Sequence, residues 1–135
     1  MQAHVEGEIH GLHAFFQDWY RGAIENSDPS FVRLQDVLAP EFTLITADGY
    51  VVPRAQLLPL MRGEYATKPE IEMWVENVQL RLDAGEILVA TYEEHGVTAN
   101  GKRATLITAV LRAKPETPNG VEWVHIHEVG LPARD

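Results

Sequence analysis

Apolar side chains recur at Val5, Ile9, Leu12, Phe16, Trp19 and Ala23. Steps of three and four residues are the spacing of one helix face, so the pattern predicts a helix over residues 3–26. Phe15, Tyr20 and Ile24 widen that stripe. Glu6, His10 and His13 lie beside one another at i, i+4 and i+7 and read as a solvated edge of the helix. Asn26-Ser27-Asp28-Pro29 closes it and opens a second, because Ser27 or Asp28 can cap and Pro29 suits a first turn. The second helix runs from Ser30 to about Leu38, with Phe31, Leu34, Val37 and Leu38 turned inward, and Ala39-Pro40 stops it. Residues 42–47 read as a strand from their β-branched content. Asp48-Gly49 is a turn, and Tyr50-Val51-Val52 a short returning strand. Pro53 opens a third helix to about Arg62, with Pro59 as an interruption or kink.

From residue 70 the pattern changes to strands. They are predicted at 70–82, 86–97, 103–114 and 121–131, joined by Asp83-Ala84-Gly85, by Ala99-Asn100-Gly101-Lys102 and by a polar loop over 115–120. Asn100-Gly101 suits a two-residue hairpin turn with positive φ at both central positions. Helices followed by an antiparallel meander make an α+β domain. A strongly twisted sheet can curl around the long helix and leave a cavity between them. Both sheet faces carry apolar residues, for example Ile107, Ala109 and Leu111 against Leu106 and Val110. One face covers the helix, and the other predicts a homodimer through the outer sheet face.

Composition narrows the function classes. The chain has 135 residues, read as one domain over 1–135. Twenty acidic against 11 basic residues give a net charge of −9. That argues against nucleic acid, which needs clustered Lys and Arg, and against anionic membrane surfaces. There is no cysteine, which removes disulfides, thiolate nucleophiles and thiolate metal sites. No apolar run approaches the roughly 18 residues of a spanning helix. The start, Met-Gln-Ala-His-Val-Glu, lacks the pattern of a secretory signal. A cytoplasmic location is the resulting expectation.

Candidate chemistry centres on Val121–Val129. Strict alternation would put Val121, Trp123, His125, His127 and Val129 on one face, the mixture of apolar wall and few polar groups that a ligand pocket uses. His125 and His127 could chelate a metal with Glu94 or His95, but His-x-His alone lacks a defining third ligand. The expectation is therefore a pocket without metal or cofactor. His127 is the candidate acid–base group, helped by His125 or by Glu94, since a carboxylate–imidazole pair can move protons near neutral pH. Tyr92, Glu94 and Gly96 share a face, although a cross-strand surface pair is the simpler reading of Glu94. Arg112 and Thr108 share another, and an inward Arg could hold a carboxylate ligand. Trp19, Tyr20, Trp74 and Trp123 are candidate walls.

Several local patterns resemble the nuclear transport factor 2-like superfamily, also called the cystatin-like or SnoaL-like fold. Asp36-Val-Leu-Ala-Pro-Glu-Phe-Thr-Leu is similar to its passage from second helix to first strand, and Asp48-Gly49-Tyr50-Val51 to its next turn. Thr108-Ala-Val-Leu-Arg-Ala-Lys114, a polar loop, Trp123 and His125-Ile-His127 resemble its closing hairpin, where the family keeps a polar residue near Thr108. Trp123, His125, His127, Gly130 and Pro132 are similar to the end of the calcium/calmodulin-dependent kinase II association domain. The resemblance implies a cone-shaped α+β barrel with three N-terminal helices packed on a curved, mostly antiparallel sheet around an internal pocket. The superfamily spans isomerases, cyclases, dehydratases and non-catalytic modules, so fold alone does not give function. Two readings follow. One is a small-molecule pocket protein working by proton transfer on an apolar, carbonyl-bearing compound. The other is a non-catalytic ligand-binding or association module. Nothing in the sequence decides whether the chain is an enzyme.

Overall fold

The computed structural model describes residues 1–132. Its elements, in chain order, are α1 (Gln2–Arg21), α2 (Asp28–Gln35), β1 (Leu38–Ile45), β2 (Val51–Pro53), α3 (Arg54–Gly63), β3 (Glu72–Asp83), β4 (Ile87–Thr98), β5 (Gly101–Ala113) and β6 (Val121–Gly130). The order is the one the sequence predicts. Three boundaries move for identifiable reasons. α2 covers Asp28–Gln35 and stops short of Leu38, because Leu38, Ala39 and Pro40 are taken by β1. α1 ends at Arg21 rather than residue 26, because Gly22 takes the left-handed conformation (φ 71°) and its N–H turns back to the last carbonyls. Any larger residue at position 22 would also collide with Ala66, since an added Cβ would lie 2.7 Å from the Ala66 Cβ. β1 begins at Leu38, four residues early, because this backbone pairs with a strand more than 80 positions away: the Trp123 N–H donates to the Val37 carbonyl.

The six strands form one open sheet in the order β2-β1-β6-β5-β4-β3. Every pairing is antiparallel except β1 with β6. At the β4–β5 hairpin, positive φ falls on Gly101 alone (117°), so the expected turn with Asn100 and Gly101 both at positive φ is not the one formed. Ala99 and Asn100 make the tip instead.

Among the register irregularities of the sheet are one in β3 and one in β6. In β3, Asn77 has φ 56° and the register shifts between Glu76 and Gln79. In β6, Val110 pairs with His125 while Leu111 pairs with Trp123, leaving Val124 as the extra residue. A bulge bends its strand and breaks the alternation of faces. Trp123 therefore faces the helices, and so do Ile126 and Glu128, whereas His125 and His127 turn to the outer face. The expectation that Trp123, His125 and His127 share a face is thereby corrected.

α1 lies along the concave face and buries Val5, Glu8, Ile9, Leu12, His13, Phe15 and Trp19. Its stripe is not wholly apolar. Glu8 is fully buried and accepts two hydrogen bonds from Arg33 of α2 (3.1 and 3.0 Å), one from Asn119 (3.0 Å) and one from the Trp123 indole (2.8 Å). Gly7 and Gly11 make room for these donors. A Cβ at Gly11 would sit 2.9 Å from Arg33 Nη2, and one at Gly7 would sit 2.9 Å from Asn119 Oδ1. At the other end of α1, Trp19 packs against Phe15, Phe31 and Tyr65, and its indole donates to the Met61 carbonyl at 2.7 Å.

Candidate functional site

A cavity of about 160 Å³ lies between α1, α3 and the concave sheet face. Its wall is mostly apolar, with Leu12, Phe16, Leu34, Phe42, Leu57, Met61, Ile107 and Ile126 among its lining. Three elements send polar groups into it: His13 and Tyr20 from α1, Tyr92 and Glu94 from β4, and Glu128 from β6. Tyr92, Glu94 and Glu128 reach it because they fall on the inward parity of their strands, with Glu128 placed there by the Val124 bulge.

His13 holds the centre. Its ring is buried, with Nδ1 2.8 Å from the Ile9 carbonyl and Nε2 2.7 Å from Glu94 Oε2. A carbonyl only accepts, so Nδ1 carries a proton and donates it. The Nε2–Glu94 contact then needs one more proton, held either by an imidazolium facing a carboxylate or by a carboxylic acid facing a neutral imidazole. Phe16 and Tyr92 meet the ring edge-on, each at 5.4 Å, and fix its plane. The Glu94 side chain remains 30% exposed, so the pair is sheltered at His13 and open at the carboxylate. Such a pair can take a proton from a bound molecule or give one to it.

The neighbouring groups favour their neutral forms. Burial, then the charge of Glu94, pushes the Glu128 carboxyl above the usual carboxylate range, while Arg103 opposes the shift. Burial raises the Tyr20 and Tyr92 phenols, and the Glu94 charge raises them further. Both phenols therefore keep their protons at neutral pH and can donate.

The expected site divides in two. Glu94, Tyr92 and Tyr20 come together in the cavity, and Glu94 pairs with His13 rather than lying as a surface pair. His125 and His127 lie on the outer face, where His125 bonds Thr43 Oγ1 at 2.8 Å and His127 is exposed opposite Thr108, which is exposed too. Arg112 is also outside, paired with Glu41 and Glu122. Trp74 stacks on His95 on that face at 5.3 Å, 40% exposed. Trp123 and Trp19 are buried in the core and border no part of the cavity. His13 is the residue that sequence reasoning missed. Its signal was its place four residues after Ile9 and next to Leu12, inside the apolar stripe rather than beside it. Glu128 was missed because the bulge reverses its parity. Among the described residues, no group of three His, Asp or Glu side chains is arranged to hold a metal ion, and no helix is long and apolar enough to cross a membrane.

Comparison with known proteins gives three findings. The family model described as sucrose-6-phosphate phosphohydrolase C-terminal matches residues 6–132. Sucrose-phosphatase 1 and sucrose-phosphatase 2 of Nicotiana tabacum are 25% and 23% identical over 128 and 127 residues, 92% of this chain in each case. The chain spans only 30% of the length of these relatives. Among solved structures, a nuclear transport factor 2-like protein of unknown function from Pseudomonas aeruginosa superposes with a TM-score of 0.87 at 24% identity, covering 96% of this chain and 99% of that one. The CaMKII hub homology domain of Chlamydomonas reinhardtii gives 0.65 at 15% identity, covering 92% and 96%. The fold is thus that of the nuclear transport factor 2-like, or cystatin-like, superfamily.

Proposed function

Starting from the fact that this chain belongs to the sucrose-6-phosphate phosphohydrolase C-terminal family, we propose that it is a small-molecule pocket module whose His13–Glu94 pair meets a compact, mostly apolar, carbonyl-bearing ligand and exchanges a proton with it. The single observation behind this reading is the 2.7 Å Nε2–Oε2 contact inside an apolar cavity, with Nδ1 already committed to the Ile9 carbonyl. A cavity of about 150 Å³ accommodates a molecule the size of benzene, which sets the scale of the buried part of the ligand. The sugar phosphate in the family's description suits this inner cavity poorly. Its lining holds two carboxylates and no Lys or Arg, and a phosphate needs cations or oriented N–H groups.

The test uses two probes. Phenol should bind saturably, with the His13 ring signals moving in NMR spectra. Cyclohexanone in D₂O should exchange its α-protons faster with the protein than in buffer. Glu94→Gln should reduce that exchange by about 10²–10⁴-fold, the usual worth of a positioned acid or base, and His13→Leu should weaken phenol. Phenol binding that ignores His13→Leu would remove the site assignment. Phenol binding without cyclohexanone exchange would leave a pocket and remove the proton transfer.

A second reading, an association module acting as a homodimer, draws on the outer sheet face. Trp74, Leu106 and Val129 are exposed there at 40%, 39% and 53%, and the likeness to a hub domain points the same way. Sedimentation at micromolar concentration should then show a dimer, with Leu106→Lys a folded monomer. A wild-type monomer would end this reading and leave the pocket untouched.

A further inference from the structure

The inner cavity opens past its polar groups into a wider cleft of about 510 Å³. Tyr20, Met73, Glu94 and Glu128 border both spaces and so form the neck between them. Beyond the neck, the cleft is lined by Lys68, Lys102 and Arg103. The chemistry therefore runs outward in a fixed order: apolar floor, acidic neck, basic rim.

The rim cations are not equivalent. Lys68 is engaged, bonded to Glu64 at 2.8 Å and lying over the Tyr20 ring at 4.4 Å. Lys102 and Arg103 form no ion pair among the described residues, in a chain with almost twice as many acids as bases. Arg103 has the inward parity of Thr105 and Ile107 on β5. Its charge is felt at the neck, where it opposes the upward shifts of Glu128 and Tyr20.

We infer that the ligand is a small α-substituted carboxylate, its apolar side chain in the inner cavity, a hydrogen-bond donor on its α-carbon at Glu94 and Glu128, and its carboxylate on Arg103. An apolar α-amino acid and the matching α-hydroxy acid share that chemistry. The inference rests on the pocket reading above and adds the ligand class. A long-chain fatty acid lacks the donor and exceeds the inner cavity. A simple amine leaves Arg103 unused, and a neutral ring uses only the floor. An ammonium at the neck also relieves the repulsion between two carboxylates that share a half-buried space.

The experiment is calorimetric titration with four probes: L-phenylalanine, L-3-phenyllactate, 3-phenylpropionate without the α-donor, and phenethylamine without the carboxylate. Phenylalanine or phenyllactate should bind at least about ten-fold more tightly than both truncated probes, as loss of one charge-assisted hydrogen bond implies. Whichever of the two binds better identifies the donor as ammonium or hydroxyl. Arg103→Met should weaken the acids by about ten-fold and leave phenethylamine unchanged. Equal binding of either truncated probe, or indifference to Arg103→Met, overturns the inference. If none of the four binds while phenol still does so in a His13-dependent way, this inference fails and the pocket reading stands. If phenol fails too, both fall.

Discussion

Replacing Glu8 by Ala is expected to lower the free energy of unfolding by about 3–5 kcal/mol, the cost of breaking a buried ion pair from one side. Four donors from three separate segments converge on this one carboxylate. Without it, the Arg33 guanidinium, the Asn119 amide and the buried Trp123 indole lose their shared acceptor, and Arg33 keeps an uncompensated charge with its side chain only 21% exposed. The loss would detach α2 and the 115–120 loop from α1 together. Urea denaturation of the wild type and Glu8→Ala measures it. The double replacement Glu8→Leu with Arg33→Leu should recover much of the loss, because exchanging both partners for apolar groups removes the stranded charge as well as the pair. A cost under about 1 kcal/mol for Glu8→Ala would mean that the network adds nothing beyond a surface pair.

Trp19→Ala should be comparably severe, at about 3–5 kcal/mol, the usual range for truncating a buried large aromatic. Trp19 is fully buried and carries contacts to Phe15, Phe31 and Tyr65, so it ties α1, α2 and the segment after α3 into one cluster. Trp19→Phe separates packing from hydrogen bonding. It keeps an aromatic ring but leaves the Met61 carbonyl without the indole N–H, which should cost about 1–3 kcal/mol. Because Trp19 borders no part of the cavity, Trp19→Phe should leave phenol binding unchanged. A large affinity loss in a folded Trp19→Phe would instead restore the sequence expectation that this side chain is a pocket wall.

The contrast between His13 and His127 shows what was legible in the chain. Helical spacing and the change to strands near residue 70 were plain from local pattern, and with them the α+β fold and the shared face of Tyr92 and Glu94, but not that this face turns inward. The resemblance carried by the 36–44 segment and the closing hairpin pointed to the nuclear transport factor 2-like fold, which the solved structures share. What could not be read was any feature set by partners distant in sequence. The Trp123-Val124-His125 run has no Gly or Pro to mark a bulge, so strict alternation assigned two histidines to the wrong side of the sheet. The start of β1 depended on a parallel partner at the far end of the chain. The burial of His13 depended on Glu94, 81 residues away. Its ionisable ring suggested solvent, and only the partner shows why a polar group is tolerated there.

One extra residue in β6 has a consequence for how this domain can vary. Upstream of Val124 the strand contributes odd positions to the interior, and downstream it contributes even ones. The two sheet faces are thus written in different reading phases on either side of a single amino acid. A change that smoothed the bulge and gave Val124 a regular place in the ladder would exchange Ile126 and Glu128 for His125 and His127 at the cavity in one step, whereas losing Val124 outright would leave them where they are. The ligand chamber and the outward surface are therefore coupled through the spelling of one strand, although no side chain need pass between them.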